Sequence, residues 1–370
     1  MRTNVLLFLT IFQNVISSVS KKFQHISGLI TFMVLGYIAG TANAAHNADY
    51  SLYLASYQMH LGNFEKGYTY VANLASASGL TYEQFRLISS IIVYLILYIA
   101  ICRYTKNIST VAILYTFIIF PLDAIQVRNG MMLAIVALGI SFLQKDCWKN
   151  YILSFMLIYF ASLFHSLGLV FLTVPLLVLV LRHKRIFVLY HAELIALVLS
   201  VFFRIVGGSV IQSLSLKVAS TFGSRGTLSN NLSSVYTNST KVNVWLIFFV
   251  IAILFSLLPF LFQKYISNAD GLIQEDYVAT SWVMFFFGVS LILMVISVDY
   301  VRIMRVASFF AIILVARMFS NELKKRSFTV NVIVFIAFLF AGILLMYAQI
   351  KGVYRVQNEL PYIYKIISQN

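Results

Sequence analysis

The sequence predicts an all-α, polytopic integral membrane protein, and three observations carry that prediction. The chain of 370 residues is 61% hydrophobic and only 11% charged, with a mean hydropathy of +0.89. Soluble domains run at about half apolar and about a quarter charged. The apolar residues fall in runs that suit spanning helices of about 20 residues. They do not form the alternating segments of about ten residues that a membrane barrel shows.

Taken in order, the runs give about 12 spans. They cover 4–20, 26–40, 85–102, 108–123, 126–143, 150–165, 167–181, 186–204, 242–262, 278–298, 303–319 and 328–347. The opening "MRTNVLLFLTIFQNVISSVS" has the outline of a signal peptide. Cleavage would leave Lys21 and Lys22 outside, against the charge bias of the rest of the chain, so an uncleaved first helix is expected. The chain reads as a single membrane domain over 1–370, with a first external segment at 41–84 and a long external loop at 205–241. That loop is rich in Ser, Gly and Asn, and an amphipathic helix is expected at 209–221. Its Asn-x-Ser/Thr triplets at Asn231 and Asn238 carry meaning only in a host that glycosylates. Neither internal repeats nor inverted halves are visible.

Lysine and arginine in short loops set the orientation. Lys21 and Lys22, Arg103 and Lys106, Lys145 and Lys149, Arg182, Lys184 and Arg185, Lys264, and Lys324, Lys325 and Arg326 occupy alternate loops. Those loops are read as cytoplasmic, which puts both termini outside. The same clustering accounts for the net charge of +15. It argues against a nucleic-acid partner, which would need a continuous basic face. The two cysteines, Cys102 and Cys147, have neither metal-ligand spacing nor a disulfide framework.

On this topology the outer ends of the spans hold Asp49, Glu65, Asp123, Arg128, His165, Arg204, Asp299, Arg302 and Arg305. Ionisable groups at a membrane face are costly unless paired or facing water. External arginines also run against the charge bias, and a bound anion would explain them, since a guanidinium matches phosphate oxygens. In "PLDAIQVRNGMML" a helix start brings Gln126, Arg128 and Asn129 together, and helix starts attract anions. Alternatively Arg128 ties to Asp123. Arg302 and Arg305 share a helix face; Asp299 could neutralise one, leaving one charge over, or the pair could snorkel. His165 lies between two short apolar runs, with Ser166 and Gly168 suggesting a break. It could act as acid or base or simply cap a helix.

The external patch "NADYSLYLASYQMHLGNFEKGYTY" holds Asp49, Glu65 and Lys66 with tyrosines at 50, 53, 57, 68 and 70. Either acid could serve as a general base toward a sugar hydroxyl. The tyrosines suit sugar stacking or an interfacial belt. His46, Asp49 and His60 match no trusted metal spacing, and neither metal nor cofactor is expected.

These stretches resemble, in order, the EpsG-like branch of the Wzy polysaccharide polymerases. The likeness is carried by "ADYSLYLASY" (48–57), "FEKGYTYVANLASASGLTYEQF" (64–85), "QVRNG" (126–130), "ASLFHSLGLV" (161–170), the late pair Arg302 and Arg305, and "NELPYIY" (358–364). The segment departs from the family where an arginine usually precedes the Asp-Tyr pair; here it reads "GTANAAHNADY". Lys66 or an external arginine would have to replace that contact.

The resemblance implies a GT-C-like fold in the inner membrane with the active site on the periplasmic face, the side on which the charge bias puts both termini. It implies an enzyme that joins undecaprenyl-diphosphate-linked oligosaccharide repeat units of O-antigen, capsule or exopolysaccharide. Arg128, Arg302 and Arg305 would hold the diphosphate. Asp49 or His165 would be the base, in transfer that does not depend on a metal. Tyr50, Tyr53, Glu65, Lys66, Tyr68, Gln126 and Asn129 would line the substrate site. The bilayer and a Wzz-type chain-length regulator are the implied partners. The alternatives are an O-antigen ligase, a polyprenyl-phosphate-dependent glycosyltransferase, or a transporter of lipid-linked sugars.

Overall fold

A computed structural model describes residues 2–42, 47, 49–206, 240–319 and 328–350. The expected helix at 209–221, Asn231, Asn238, His46, the Lys324–Arg326 cluster, both termini and "NELPYIY" lie outside the described residues. Among those described, helices are the only regular elements, with no β-strand.

Helices α1 (Arg2–Ser20) and α2 (Gln24–Gly40) form the first hairpin. Glycines on α2 let its backbone approach α5 (Tyr82–Tyr104). A Cβ at Gly36 would lie 3.1 Å from the Ile91 Cα, and one at Gly40 would lie 2.6 Å from the Leu87 Cα. Small residues drive membrane helices together in this way. The contact fixes the start of α5, which opens on a capping box. The Thr81 hydroxyl accepts from the Gln84 N–H, and the Gln84 side chain accepts from the Thr81 N–H.

The polar segment before α5 folds into α3 (Tyr50–Gln58) and α4 (Lys66–Ala77). Tyr50, Tyr53, Tyr57 and Tyr68 pack with Tyr82 and Phe85 into an aromatic core of their own, backed by Val127 and Met131. Tyr57 stacks on Phe85 at 5.4 Å, and Tyr50 meets Tyr82 edge-on at 5.2 Å. These four rings are therefore buried rather than arrayed as a belt; only Tyr70 is well exposed. Positions 50, 53 and 57 lie on one face of a helix, and burying that face is what folds the patch.

The chain continues through α6 (Ile108–Ile118), the single turn α7 (Phe120–Asp123) and α8 (Val127–Ser141). Pro121 sits in the first turn of α7, where its missing N–H costs little. Then come α9 (Trp148–Ser162), a 3-10 helix (Ser166–Leu172), α10 (Thr173–Leu181), α11 (Ile186–Val206), α12 (Val242–Leu261) and α13 (Gln263–Ile266). The series closes with α14 (Glu275–Val283), α15 (Phe286–Leu293), α16 (Val301–Met318) and α17 (Phe328–Gln349). Every residue of α16 except Arg302 and Arg317 is buried, so α16 is the central column of the bundle. The outer faces of α9, α11 and α12 carry exposed Phe155, Leu194, Ile195, Phe202, Ile247 and Phe260, the surface a lipid-facing helix presents.

Each range read as a span contains helix, but among the described residues six segments are long and apolar enough to cross a membrane. They are Tyr82–Tyr104, Val127–Gln144, Ile186–Val206, Val242–Leu261, Glu275–Leu293 and Val332–Gln349. The others are shorter, or carry charge as α16 does with Arg302, Arg305 and Arg317. The range 278–298 is not one helix. It tightens at 284–285, where Met284 N–H reaches Ser281 O at 3.1 Å. Likewise 108–123 ends as a helix at Ile118 and resumes as the separate turn α7.

Candidate functional site

The ends of α2, α6, α9 and α17 and the starts of α3, α5, α8 and α16 gather at one end of the bundle. Contacts between distant segments show this, among them Asn47 with Ala124, Arg128 with Glu65, Arg302 with His165 and Arg305 with Gln349. The opposite end holds the ties of Arg182 to Asp146 and Arg317 to Asp276.

Asp49 occupies the residue before α3, yet its side chain does not cap that helix. Its φ of −92° and ψ of −7° are helical, whereas a capping residue is extended. The carboxylate is thus not spent on the helix start. Burial raises its pKa above the ordinary aspartate value, while Arg302 first and Arg128 second pull it back down. Both guanidiniums therefore act on the same carboxylate.

Arg128 lies in the first turn of α8. It is held by a salt bridge to Glu65 and by Nε donating to the Tyr53 hydroxyl at 3.2 Å. Its guanidinium also lies 4.0 Å from the Phe64 ring centre, within range of cation–π attraction. Glu65 in turn accepts from the Ser166 N–H at 2.9 Å. It clamps three segments together: the α4 start, the α8 start and the break after α9. The alternative tie of Arg128 to Asp123 is not formed. Lys66, one residue on, is exposed. Tyr50 donates to Glu83 at 2.8 Å, and burial and then Glu83 push the Tyr50 hydroxyl up to about 12.

His165 sits in the break itself. Its backbone is extended, and its Nδ1 accepts from the Leu167 N–H at 3.3 Å to start the 3-10 helix. Its Nε2 lies 3.3 Å from Arg302 Nη1. Both ring nitrogens thus face donors, and a neutral ring carries one proton, so it accepts either from Leu167 N–H at Nδ1 or from Arg302 at Nε2, not from both at once. Arg302 Nη2 reaches Asp299 Oδ1 at 3.3 Å. Gly168 makes the break possible. A Cβ there would lie 2.7 Å from Ser162 N and 2.8 Å from its Cα. Gly168→Ala should therefore lower thermal stability by about 1–3 kcal/mol and misplace His165. An unchanged melting temperature in detergent would show that the turn has room to spare.

Arg305 differs from its neighbour. The expectation that Arg302 and Arg305 leave one positive charge over is corrected, because Asp123 neutralises Arg305 from α7. The two side chains are each 1% exposed and 3.3 Å apart. At that burial an unpaired charge is prohibitive, so the two settle together. Arg305 Nη1 also donates to Gln126 at 2.9 Å, and Nε and Nη2 donate to Gln349 at 3.0 and 2.9 Å. Asn129 donates to Asp123 at 3.3 Å. Gln126 and Asn129 are therefore buried in this network. By contrast the side chains of Arg302 and Arg128 are 20% and 17% exposed.

Gln349, Arg86 and Glu193 escaped the sequence reading. All three lie in or beside stretches read as apolar: Arg86 at the head of 85–102, Glu193 within 186–204, and Gln349 just past 328–347. A charge inside an apolar run is itself a signal of function, and Glu193 carries that signal. Among the described residues no group of three or more His, Cys, Asp and Glu side chains could hold a metal ion.

The EpsG family matches residues 25–364, nearly the whole chain. The chain belongs to the EpsG family. The resemblance drawn from its ordered motifs is thereby borne out, and the chain is a polysaccharide-polymerase-like membrane protein. No curated protein and no solved structure matches this EpsG-family chain.

Proposed function

We propose that this EpsG-family protein joins oligosaccharide repeat units carried on a polyprenyl diphosphate, at the periplasmic face of the inner membrane. The observation that supports it best is that two partly exposed arginines, Arg128 and Arg302, both bear electrostatically on one carboxylate, Asp49, which caps no helix. In this reading the two guanidiniums hold the donor's diphosphate. As the anomeric C–O bond to phosphate breaks, the electron pair passes to that oxygen, and the growing charge is met by fixed donors. The acceptor hydroxyl attacks the anomeric carbon and loses its proton to Asp49. The products are a new glycosidic bond and a released polyprenyl diphosphate. The guanidiniums take the place a divalent metal fills in other sugar transferases.

The other site residues serve this centre. His165 and Asp299 orient Arg302, while Glu65 and Tyr53 orient Arg128. Arg305, Asp123, Gln126, Asn129 and Gln349 hold the segment from which α8 starts. Tyr50 and Tyr68 belong to the buried aromatic core that folds α3 and α4, the helices next to Asp49, and Lys66 is exposed at the start of α4. The surface polysaccharide of a deletion strain tests the proposal. A ladder that collapses to a single repeat supports a polymerase. Loss of the single-repeat band as well would point to a ligase or a transporter.

A further inference from the structure

Arg86 is a buried cation at this end of the bundle that the proposed chemistry leaves unused. Its residue is 2% exposed, in the second turn of α5. Nη2 donates to the Ala124 carbonyl at 3.1 Å, and the guanidinium lies 5.1 Å from the Tyr50 ring centre. Nε and Nη1 are buried without a hydrogen-bond partner among the described residues. No carboxylate among those residues forms an ion pair with it. Glu65 is paired with Arg128, Asp123 with Arg305 and Asp299 with Arg302, while Glu83 accepts from Tyr50. The stretch leading into Asp49, residues 43–48, contains no acid.

A buried cation without a counter-ion is expensive. Arg86 also stands near the positive end of the α5 dipole, which adds to the cost. One carbonyl and one ring face offset only part of it. Asn47 shares the Ala124 carbonyl with Arg86 at 3.3 Å, and Tyr50 directly follows Asp49. Arg86 therefore stands beside the residues that frame the proposed base, on an element separate from Arg128 and Arg302.

We propose that Arg86 binds a second lipid-borne phosphate oxyanion, that of the acceptor's diphosphate, while Arg128 and Arg302 hold the donor's. This rests on the function proposed above, in which each of the two molecules joined carries a diphosphate. The same chemistry would also fit the phosphate of a bilayer phospholipid, and the arms below separate the two sources.

Inorganic pyrophosphate is the first probe, with the full chain in phosphatidylcholine nanodiscs and thermal unfolding as readout. In the double variant Arg128→Gln/Arg302→Gln, pyrophosphate should still raise the melting temperature. Adding Arg86→Gln should abolish that rise, and Arg86→Lys should keep part of it. If Arg86→Gln does not fold, Arg86→Lys against its parent carries the comparison. No rise in the double variant, or a rise indifferent to Arg86, overturns the proposal.

The second arm compares a diphosphate-linked acceptor with the same repeat on a neutral lipid glycoside. Arg86→Gln should raise KM about ten-fold for the former alone. An equal loss with both acceptors overturns the proposal in favour of a structural tie to Ala124. An unchanged KM together with an Arg86-dependent pyrophosphate shift assigns the oxyanion to phospholipid and overturns the acceptor assignment. A chain that binds pyrophosphate through Arg86 but joins no repeats contradicts the proposed function, not the anion site.

Discussion

Arg302→Gln should leave the protein folded and cut polymerisation by about 10²- to 10³-fold, the usual loss of one fixed donor to a developing anion. The side chain is partly exposed, and its contacts with Asp299 and His165 lie at the rim of the cluster rather than in its core. Removing it should therefore cost little stability. The residual activity gives a sharper test through its pH profile. As the base, Asp49 must be ionised, so the rate falls as pH drops through its pKa. Burial raises that pKa, and Arg302 is the strongest influence lowering it. Without Arg302 the acid limb should move to higher pH, and Arg302→Lys should largely restore its position. A limb that stays in place in Arg302→Gln would detach Asp49 from the chemistry, however large the loss of rate.

Arg305→Ala should act through the fold instead. It strands Asp123 in the core, where the loss of one partner from a buried pair costs about 3–5 kcal/mol. Among the described residues Asp123 would keep the Tyr115 hydroxyl at 2.8 Å and Asn129 at 3.3 Å. Protein level and melting temperature should both fall. Arg305→Met combined with Asp123→Leu removes both charges and should recover most of the stability. A stable Arg305→Ala protein that makes no polymer would contradict this and return Arg305 to the diphosphate.

The contrast between these arginines marks what the sequence could disclose. The cost of charge in apolar surroundings singled out Arg128, Arg302 and Arg305 together, because each interrupts or borders an apolar run. Partners could not be read the same way. Arg305 pairs with a carboxylate 182 positions away, and Arg128 with one 63 positions away. Nearness in sequence had suggested Asp123 for Arg128, but the turn of α7 aims Asp123 at the central helix.

The helices were legible because apolar runs are long, and the break at His165 because Ser166 and Gly168 interrupt one. The short helices α3 and α4 were less so. Taken one at a time their tyrosines suit stacking or a belt, whereas the spacing of 50, 53 and 57 describes one buried helical face. Arg86 was hidden by its position at the edge of an apolar run, where a basic residue passes for an anchor.

The central claim is that this face of the bundle transfers a glycan from a lipid diphosphate, with Asp49 taking the proton. The most direct measurement supplies purified protein in nanodiscs with a single lipid-linked repeat unit and counts products. The account predicts a ladder of joined repeats, one polyprenyl diphosphate released for each bond formed, and neither product from folded Asp49→Asn protein. A wild-type protein that forms no bonds, or an Asp49→Asn protein that forms them at the wild-type rate, would contradict it.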